Sequence, residues 1–339
     1  MSFHIALNFE DGVTRFIDGA PSETVADAAY RQGVNIPLDC RDGACGTCKA
    51  FCEAGSYDGG SYIEDALTDE EAAEGYCLPC QMRPGSDCVI RIAASSAACK
   101  IQPGERHGVL ADVESLSDST IGLTVALEDP ADLDFLPGQY VTIGVPGSAE
   151  TRAYSFSSVP GSATARFLIR NVPGGLMSGY LTGRAKRGDR LTLAGPRGSF
   201  YLRDVERPLL MLAGGTGLAP FLSMLGRLAE SGCAQPIHLV YGVTKDRDLV
   251  RLAELEAFAR KLPGLTFATC VADQDSTHSR KGYVTQHLPP ACLHNGDVDV
   301  YLCGPPPMVE AVRLHFHQHQ ITPAHFHTEK FAPSAGGAA

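Results

Sequence analysis

The sequence predicts a multidomain chain of α+β and α/β character: a small mixed domain, then an antiparallel β-barrel, then a parallel α/β domain. Three observations predict that order. The 339 residues are enough for two or three domains at roughly 100–200 residues each. Eight of the twelve cysteines lie within the first 100 residues, so one region carries a chemistry the rest lacks. Beyond it the texture changes once more, from short strand-like runs between glycines and prolines to strand-like runs alternating with helical ones. At 44% hydrophobic residues the chain can build packed cores and is not of disordered composition.

The first domain is expected over residues 1–95. HIALNF (4–9) alternates apolar and polar residues, and Asp11-Gly12 before VTRFI signals a turn, so a β-hairpin opens the chain. Thr24 suits the N-cap of a short helix through VADAAYRQG, stopping at Gly33. A loop rich in glycine and cysteine follows, then a polar-acidic stretch from Glu64 to Glu74 and a last strand at CVIRI (88–92). Residues 96–106, small and polar with one proline, read as a linker.

Over residues 107–203, GLTVAL, QYVTIGV, ARFLIR and RLTLAG are punctuated by PGQ, VPGS and GPRG, the spacing of a small antiparallel barrel. Over 204–331, PLLMLA leads into GGTG and a helical pattern. IHLVYGV, LTFATCV and VDVYLCG then alternate with helical stretches, which implies a parallel α/β sheet. Residues 332–339 read as a flexible tail.

Net charge is −11, and the first 100 residues carry 16 acids against 7 bases. That balance argues against nucleic acid as a partner, because phosphate binding needs a basic footprint. A solvated acidic surface is the plain account, and a surface that steers toward a basic protein partner is the sharper one. No apolar run approaches the ~18–20 residues that span a bilayer, so no membrane partner is expected. The start MSFHIALNFEDG lacks the basic segment and long apolar stretch of a secretory signal, and a cytoplasmic location is the expectation.

Cys40-x4-Cys45-x2-Cys48, with Cys80 after 31 further residues, is the plant-type [2Fe–2S] spacing. Such a cluster needs four converging thiolates, and three cysteines in one short loop wrap one side of it. Gly43 and Gly46 let that loop turn with its N–H groups toward the sulfurs, which stabilises the charged cluster. A structural zinc is the rival, because Cys45-x2-Cys48 and Cys77-x2-Cys80 make two CxxC knuckles. That rival wastes Cys40 and leaves the glycines unexplained. A disulfide framework fails on chain length and on the clustering at metal-ligand spacing. With LPCQMRP around Cys80, residues 1–95 resemble a plant-type ferredoxin, which implies a β-grasp fold. Cys52, Cys77, Cys88 and Cys99 are then non-ligands.

Arg152, Tyr154 and Ser155 end a strand-like run, and PGGLMS (173–178) begins 19 residues past Tyr154. Gly175 and Ser178 at a helix start offer N–H and hydroxyl donors to a pyrophosphate, and Arg152 adds a bidentate cation. The two segments together resemble the FAD-binding barrel of the ferredoxin–NADP reductase superfamily. That resemblance implies FAD contacts from Arg152, Tyr154, Ser155 and Arg170, and from Gly175, Leu176, Met177 and Ser178. It places the tyrosine along the flavin and Ser155 near N5, the atom that receives hydride.

LAGGTGLAP (212–220) is a strand, a glycine turn and a helix start, where bare backbone approaches a pyrophosphate. CGPPPM (303–308) follows the last strand and opens another helix, with proline suited to its first turn. The pairing resembles the nicotinamide domain of the same superfamily. It implies NADH contacts from Gly214, Gly215, Thr216, Gly217 and Pro220, and from Cys303, Gly304, Pro305 and Met308. Asp246 and Asp248 after VYGV suit a ribose hydroxyl, whereas Lys245 and Arg247 in the same loop suit a 2′-phosphate. NADH over NADPH therefore rests on resemblance. Glu329, Lys330 and Phe331 resemble the superfamily's terminal segment, with an acid near the nicotinamide and an aromatic over the flavin, although eight residues follow Phe331 here. A buried strand-end thiol and an ordinary exposed aromatic are the plain accounts of Cys303 and Phe331.

His315, His317, His319, His325 and His327 crowd the end of the chain. Alternate positions on a helix do not share a face, so incidental surface histidines are expected rather than a chelate.

The order of modules resembles the reductase component of Rieske aromatic-ring dioxygenases across residues 1–331. IRNVPGGLMSGYL, VYGVTKDRDLV, KGYVT and VDVYLCGPPPMVEAV look most like the benzoate 1,2-dioxygenase reductase subgroup. The resemblance implies an NADH-dependent oxidoreductase of aromatic catabolism. Hydride would pass to FAD, and single electrons would leave through the [2Fe–2S] cluster to a Rieske-type terminal oxygenase. Ser155, Cys303 and Glu329 are then the catalytic residues, positioning hydride transfer. A reductase for a diiron monooxygenase would share this chemistry with another partner. A zinc-containing scaffold module would bind no flavin.

Overall fold

The computed structural model describes residues 2–38, 42–44, 46–64, 66–99, 104–129 and 133–331. Expectations for Cys40, Cys45, part of the linker (100–103) and the tail (332–339) lie outside the described residues. The chain divides into two compact units, residues 1–104 with 195–199 and residues 105–194 with 200–339.

In the first unit, β1 (Phe3–Phe9) and β2 (Thr14–Gly19) form the expected hairpin. Thr24 caps α1 (Val25–Arg31), its hydroxyl accepting from the Asp27 N–H, and the apolar face of Val25, Ala26, Ala28 and Ala29 is buried. Then come β3 (Ala50–Ala54), β4 (Tyr57–Asp58), α2 (Asp69–Glu74), β5 (Tyr76–Cys77), β6 (Arg83–Pro84) and β7 (Cys88–Ile92). The main sheet runs β2-β1-β7-β3-β5, with β1 and β7 parallel and α1 packed on β2. A mixed sheet embraced by one helix is the β-grasp arrangement.

The acidic stretch holds a helix that the sequence reading leaves unassigned. Thr68 and Glu71 cap each other's backbone at the start of α2, and Gly75 closes it at φ +107°.

Part of the expected linker is not free chain. The Ser96 N–H and hydroxyl both donate to Asp11 Oδ2, at 2.9 and 2.8 Å. The Asn35 N–H donates to the carbonyl of buried Cys99 at 2.8 Å, which holds that segment against the first unit. The next strand already begins at Gly104.

That strand, β8 (Gly104–Ser117), opens a six-stranded sheet with β9 (Thr120–Leu127), β10 (Tyr140–Gly144), β11 (Thr151–Ser155), β12 (Thr164–Arg170) and β13 (Arg190–Arg197). Helix α3 (Leu176–Gly183) lies between β12 and β13. The order is β11-β10-β13-β8-β9-β12, and a bridge between Phe156 and Phe167 brings the two edges together. Closure gives the expected barrel, filled by inward side chains such as Ile121, Leu123, Val141 and Phe167, with Phe135 and Phe156 stacked at 3.8 Å.

The last region comprises β14 (Leu209–Gly214), α4 (Ala219–Ser231), β15 (Ile237–Val243), α5 (Leu252–Lys261), β16 (Leu265–Val271), β17 (Asp299–Gly304), α6 (Pro306–Gln318) and β18 (His325–Lys330). Its sheet is parallel, in the order β16-β15-β14-β17-β18. Every residue of β14 and β17 is buried, as expected for strands with packed residues on both faces. From β14 the chain builds outward to β16, then returns to place β17 on the other side. The order therefore reverses between β14 and β17, the position where open α/β sheets form a ligand crevice beyond their strand ends.

Candidate electron-transfer site

Cys48 lies just before β3 and Cys80 just past β5, and both are buried. The Cys48 side chain contacts Cys80 Sγ, and the Gly43 N–H and the Gln81 side chain add hydrogen bonds. Led by the Cys48 contact, these lower the Cys80 thiol to about 7 against the opposing effect of burial. Gly43 has φ +79°, and a Cβ there would stand 2.3 Å from the Ser61 carbonyl oxygen. Only glycine lets that N–H face the sulfur.

Cys77 belongs elsewhere. It neighbours Cys52 and Cys88, and burial pushes its thiol up to about 12 and that of Cys88 to about 11. With Cys77 set beside Cys52 and Cys88, the two-knuckle zinc reading is the less supported one. The described part of the site fits a [2Fe–2S] cluster: two adjacent sulfurs, one of them receiving a backbone N–H.

On β11, Arg152 and Tyr154 share one face by strand alternation. The Arg152 guanidinium lies 3.1 Å from Glu150 and donates to the Thr151 carbonyl at 2.7 Å. Burial raises the Tyr154 phenol well above its ordinary value, so it stays a neutral hydroxyl. Arg170 ends β12, and Gly175 caps α3.

The local geometry changes which α3 donors are free. The Gly175 N–H is spent on the Val172 carbonyl at 2.9 Å. The Ser178 hydroxyl donates to the same carbonyl at 2.8 Å, so it closes the turn instead of facing a ligand. The first intrahelical bond runs from the Gly179 N–H to the Gly175 carbonyl. It leaves the N–H groups of Leu176, Met177 and Ser178 without intrahelical partners, the arrangement that receives a phosphate. These donors and the two arginines fit the pyrophosphate of FAD.

At the switch point the two glycine-bearing turns touch. A Cβ on Gly214 would come 2.4 Å from Met308 Sδ, one on Gly304 2.7 Å from the same sulfur, and one on Gly217 2.4 Å from the Cys303 carbonyl oxygen. Gly215, at φ +55°, has open space instead. Thr216 lies in the same 3₁₀ turn, Pro220 sits in the first turn of α4, and Pro305 caps α6. The crevice thus offers bare backbone and two helix starts, which fit a dinucleotide.

Three strands bring the expected catalytic trio together. Register sets Glu329 on β18 beside Cys303 on β17. The Ser155 hydroxyl, from the barrel, donates to Glu329 Oε2 at 3.0 Å, and the Cys303 thiol approaches the same oxygen at 3.7 Å. Burial first, then the Glu329 charge and hydrogen bond, hold the Cys303 thiol well above its ordinary value, so it remains protonated. The Phe331 N–H donates to the Gly304 carbonyl at 2.9 Å, tying the residue after β18 to the crevice.

In the loop after β15, Asp246 accepts from the Ser276 hydroxyl at 2.8 Å. Asp248 is consumed structurally, accepting from the Ser119 hydroxyl at 2.6 Å and the Lys245 N–H at 3.2 Å. Ser119 and Ser276 carry no motif that sequence reading could have found.

The late histidines are not all isolated. His315 and His319 are one helical turn apart with ring centroids 4.2 Å apart, and His325 and His327 share a face of a strand, not a helix. Among the described residues no group of three or more His, Cys, Asp or Glu side chains could hold a metal ion. None of the described helices is long and apolar enough to cross a membrane.

Residues 8–85 match the 2Fe-2S iron-sulfur cluster binding domain family, 107–201 the oxidoreductase FAD-binding domain and 211–314 the oxidoreductase NAD-binding domain. The chain is 57% identical to the toluate 1,2-dioxygenase electron transfer component of Pseudomonas putida, over 99% of this chain and 100% of that one. It is 53% identical to the 2-halobenzoate 1,2-dioxygenase electron transfer component of Burkholderia cepacia, with the same coverage. The crystal structure of the Amycolatopsis cytochrome P450 reductase GcoB superposes with a TM-score of 0.73 at 31% identity, covering 98% of this chain and all of that one. With cluster, flavin and nicotinamide domains in this order, the chain belongs to the family of aromatic-ring 1,2-dioxygenase electron transfer components.

Proposed function

We propose that this chain is the NADH-oxidising reductase of a benzoate-type 1,2-dioxygenase, delivering electrons to a Rieske-type terminal oxygenase. FAD held in the barrel would supply the chemistry that joins a two-electron hydride donor to a one-electron [2Fe–2S] acceptor. The convergence of Ser155, Cys303 and Glu329 at the switch point carries the proposal.

Each residue has a defined task. Arg152, Arg170 and the first turn of α3 hold the FAD pyrophosphate. Glu329 accepts from Ser155 and so fixes the direction of its Oγ near the reacting centre. Cys303 stays an uncharged thiol, which lets nicotinamide approach without a competing thiolate. The glycines of both turns admit the NADH pyrophosphate, and Asp246, oriented by Ser276, holds a ribose hydroxyl. Phe331, tied to the Gly304 carbonyl, would lie against the flavin and would have to shift for nicotinamide to enter. The identities to two aromatic-acid dioxygenase components favour this partner over a diiron hydroxylase.

Ser155→Ala should slow flavin reduction by NADH on the order of 10²-fold, the scale of losing one positioned hydrogen-bonding group at a reacting centre. FAD content and NADH affinity should persist. Stopped-flow reduction at the native rate would remove Ser155 from the mechanism. Coupling to product formation by a Rieske oxygenase, and not by a diiron hydroxylase, is expected. The reverse pattern would overturn the partner assignment.

A further inference from the structure

We infer that Asp118, in a turn of the FAD barrel, strengthens the preference for NADH over NADPH by pairing with Arg247 and so keeping it from a 2′-phosphate on the adenosine ribose. The inference rests on the proposed placement of that ribose at the loop after β15.

The loop carries two carboxylates and two cations within four residues, Lys245 to Asp248. Its charges are already allocated. Both oxygens of Asp248 are engaged, by Ser119 and by the Lys245 N–H, which closes a 3₁₀ turn. Asp246 is steadied by Ser276 and remains the acid for a ribose diol. Arg247 pairs with Asp118 at 2.6 Å.

A 2′-phosphate is recognised by a guanidinium in this part of a dinucleotide fold. Arg247 is the guanidinium of this loop, and the Asp118 carboxylate both occupies it and repels a phosphate dianion. The carboxylate comes from another domain, so nothing in the nucleotide-binding segment alone reveals it.

Asp118 is held where it can act. Ser117 pairs with Thr120, leaving Asp118 and Ser119 as the two central residues of the β8–β9 turn. Asn171, the residue after β12, donates from Nδ2 to the Asp118 carbonyl at 2.9 Å and from its N–H to the Ser119 carbonyl at 2.8 Å. Beside them, Arg251 pairs with Glu114 at 2.8 Å and Arg166 with Glu254 at 2.9 Å. These two pairs likewise run from the barrel to the nicotinamide domain.

The Arg247 and Asp118 side chains are 59% and 71% exposed, so their pair is weak and screened by salt. The expected effect is therefore moderate. In holoenzyme assayed by ferricyanide reduction, Asp118→Asn should raise the NADPH:NADH ratio of kcat/KM by up to roughly fivefold, the scale of one exposed ion pair. Asp118→Lys should raise it further. The change should lie in KM, shrink at high ionic strength, and for Asp118→Asn fall by more than half in an Arg247→Ala background, where only direct repulsion of the phosphate is left to relieve. That background separates Arg247 from Lys245. An unmoved ratio in both Asp118 variants overturns the inference. Asp246→Ala tests the underlying placement on its own: it should raise KM for NADH. If it does not, the adenosine lies elsewhere and the placement itself fails. If it does while the Asp118 variants change nothing, only the role of Asp118 falls.

Discussion

His327 and Glu329 stand two residues apart on β18, and their surroundings give them opposite chemistry. Glu329 gathers two donors, Ser155 and Cys303. His327 packs its ring 4.6 Å from that of Tyr301, and burial lowers its pKa to about 3, with the charges of Arg203 and His325 adding to the effect. The folded chain therefore keeps it neutral where the unfolded chain would protonate it near pH 6.5. Below that pH the unfolded state binds a proton that the folded state refuses. Stability should fall progressively from about pH 6.5 toward pH 3 and be fully present above that range. His327→Phe should flatten this part of the profile of melting temperature against pH. A variant as acid-sensitive as the native protein would show that His327 does not supply the dependence.

At the level of elements, α2 gathers acidic residues of the cluster-bearing unit but has no buried residue. Glu71 is not available for docking, because it caps the Thr68 N–H at 3.0 Å and pairs with Lys49. Glu70 is the cleaner probe. Glu70→Lys should slow electron delivery to the oxygenase, increasingly so at low ionic strength, while NADH–ferricyanide activity stays at the native rate. Unaltered oxygenase coupling at low salt would rule α2 out as a steering surface. The Thr68-x-x-Glu71 spacing of a capping box stands in the sequence but is not read there as a helix start. The helix was not legible, because no residue of it is fully buried and Ala72, half-buried against the cluster of Leu67 and Leu78, makes no apolar period to read. β8 escaped for a related reason: both its faces are partly exposed along much of its length, so alternation is weak. The strands with strong apolar patterns, β9, β10, β12 and β14 to β17, were all visible.

Over the whole molecule, what was legible is what backbone chemistry forces into the sequence. Glycines at Gly214, Gly217 and Gly304 are needed because any Cβ would collide across the switch point, and cysteine spacing follows from cluster size. What stayed hidden are pairings between distant polar side chains. Ser119 with Asp248, Asp118 with Arg247 and Ser155 with Glu329 join residues far apart in the chain, and a lone serine or aspartate carries no periodicity. The same limit applied to Ser178, whose motif suggested a ligand and whose hydroxyl instead closes its own turn. The central claim is one electron path from NADH through FAD to a [2Fe–2S] cluster on a single chain. An anaerobic titration of the purified protein with NADH and then NADPH, followed by visible absorption, tests it most directly. Flavin bands and a broad iron–sulfur shoulder that both bleach, with NADH far more effective than NADPH, are the predicted result. A preparation that stays colourless after iron–sulfide reconstitution and FAD addition, or a flavin that bleaches while the cluster absorption holds, would contradict it.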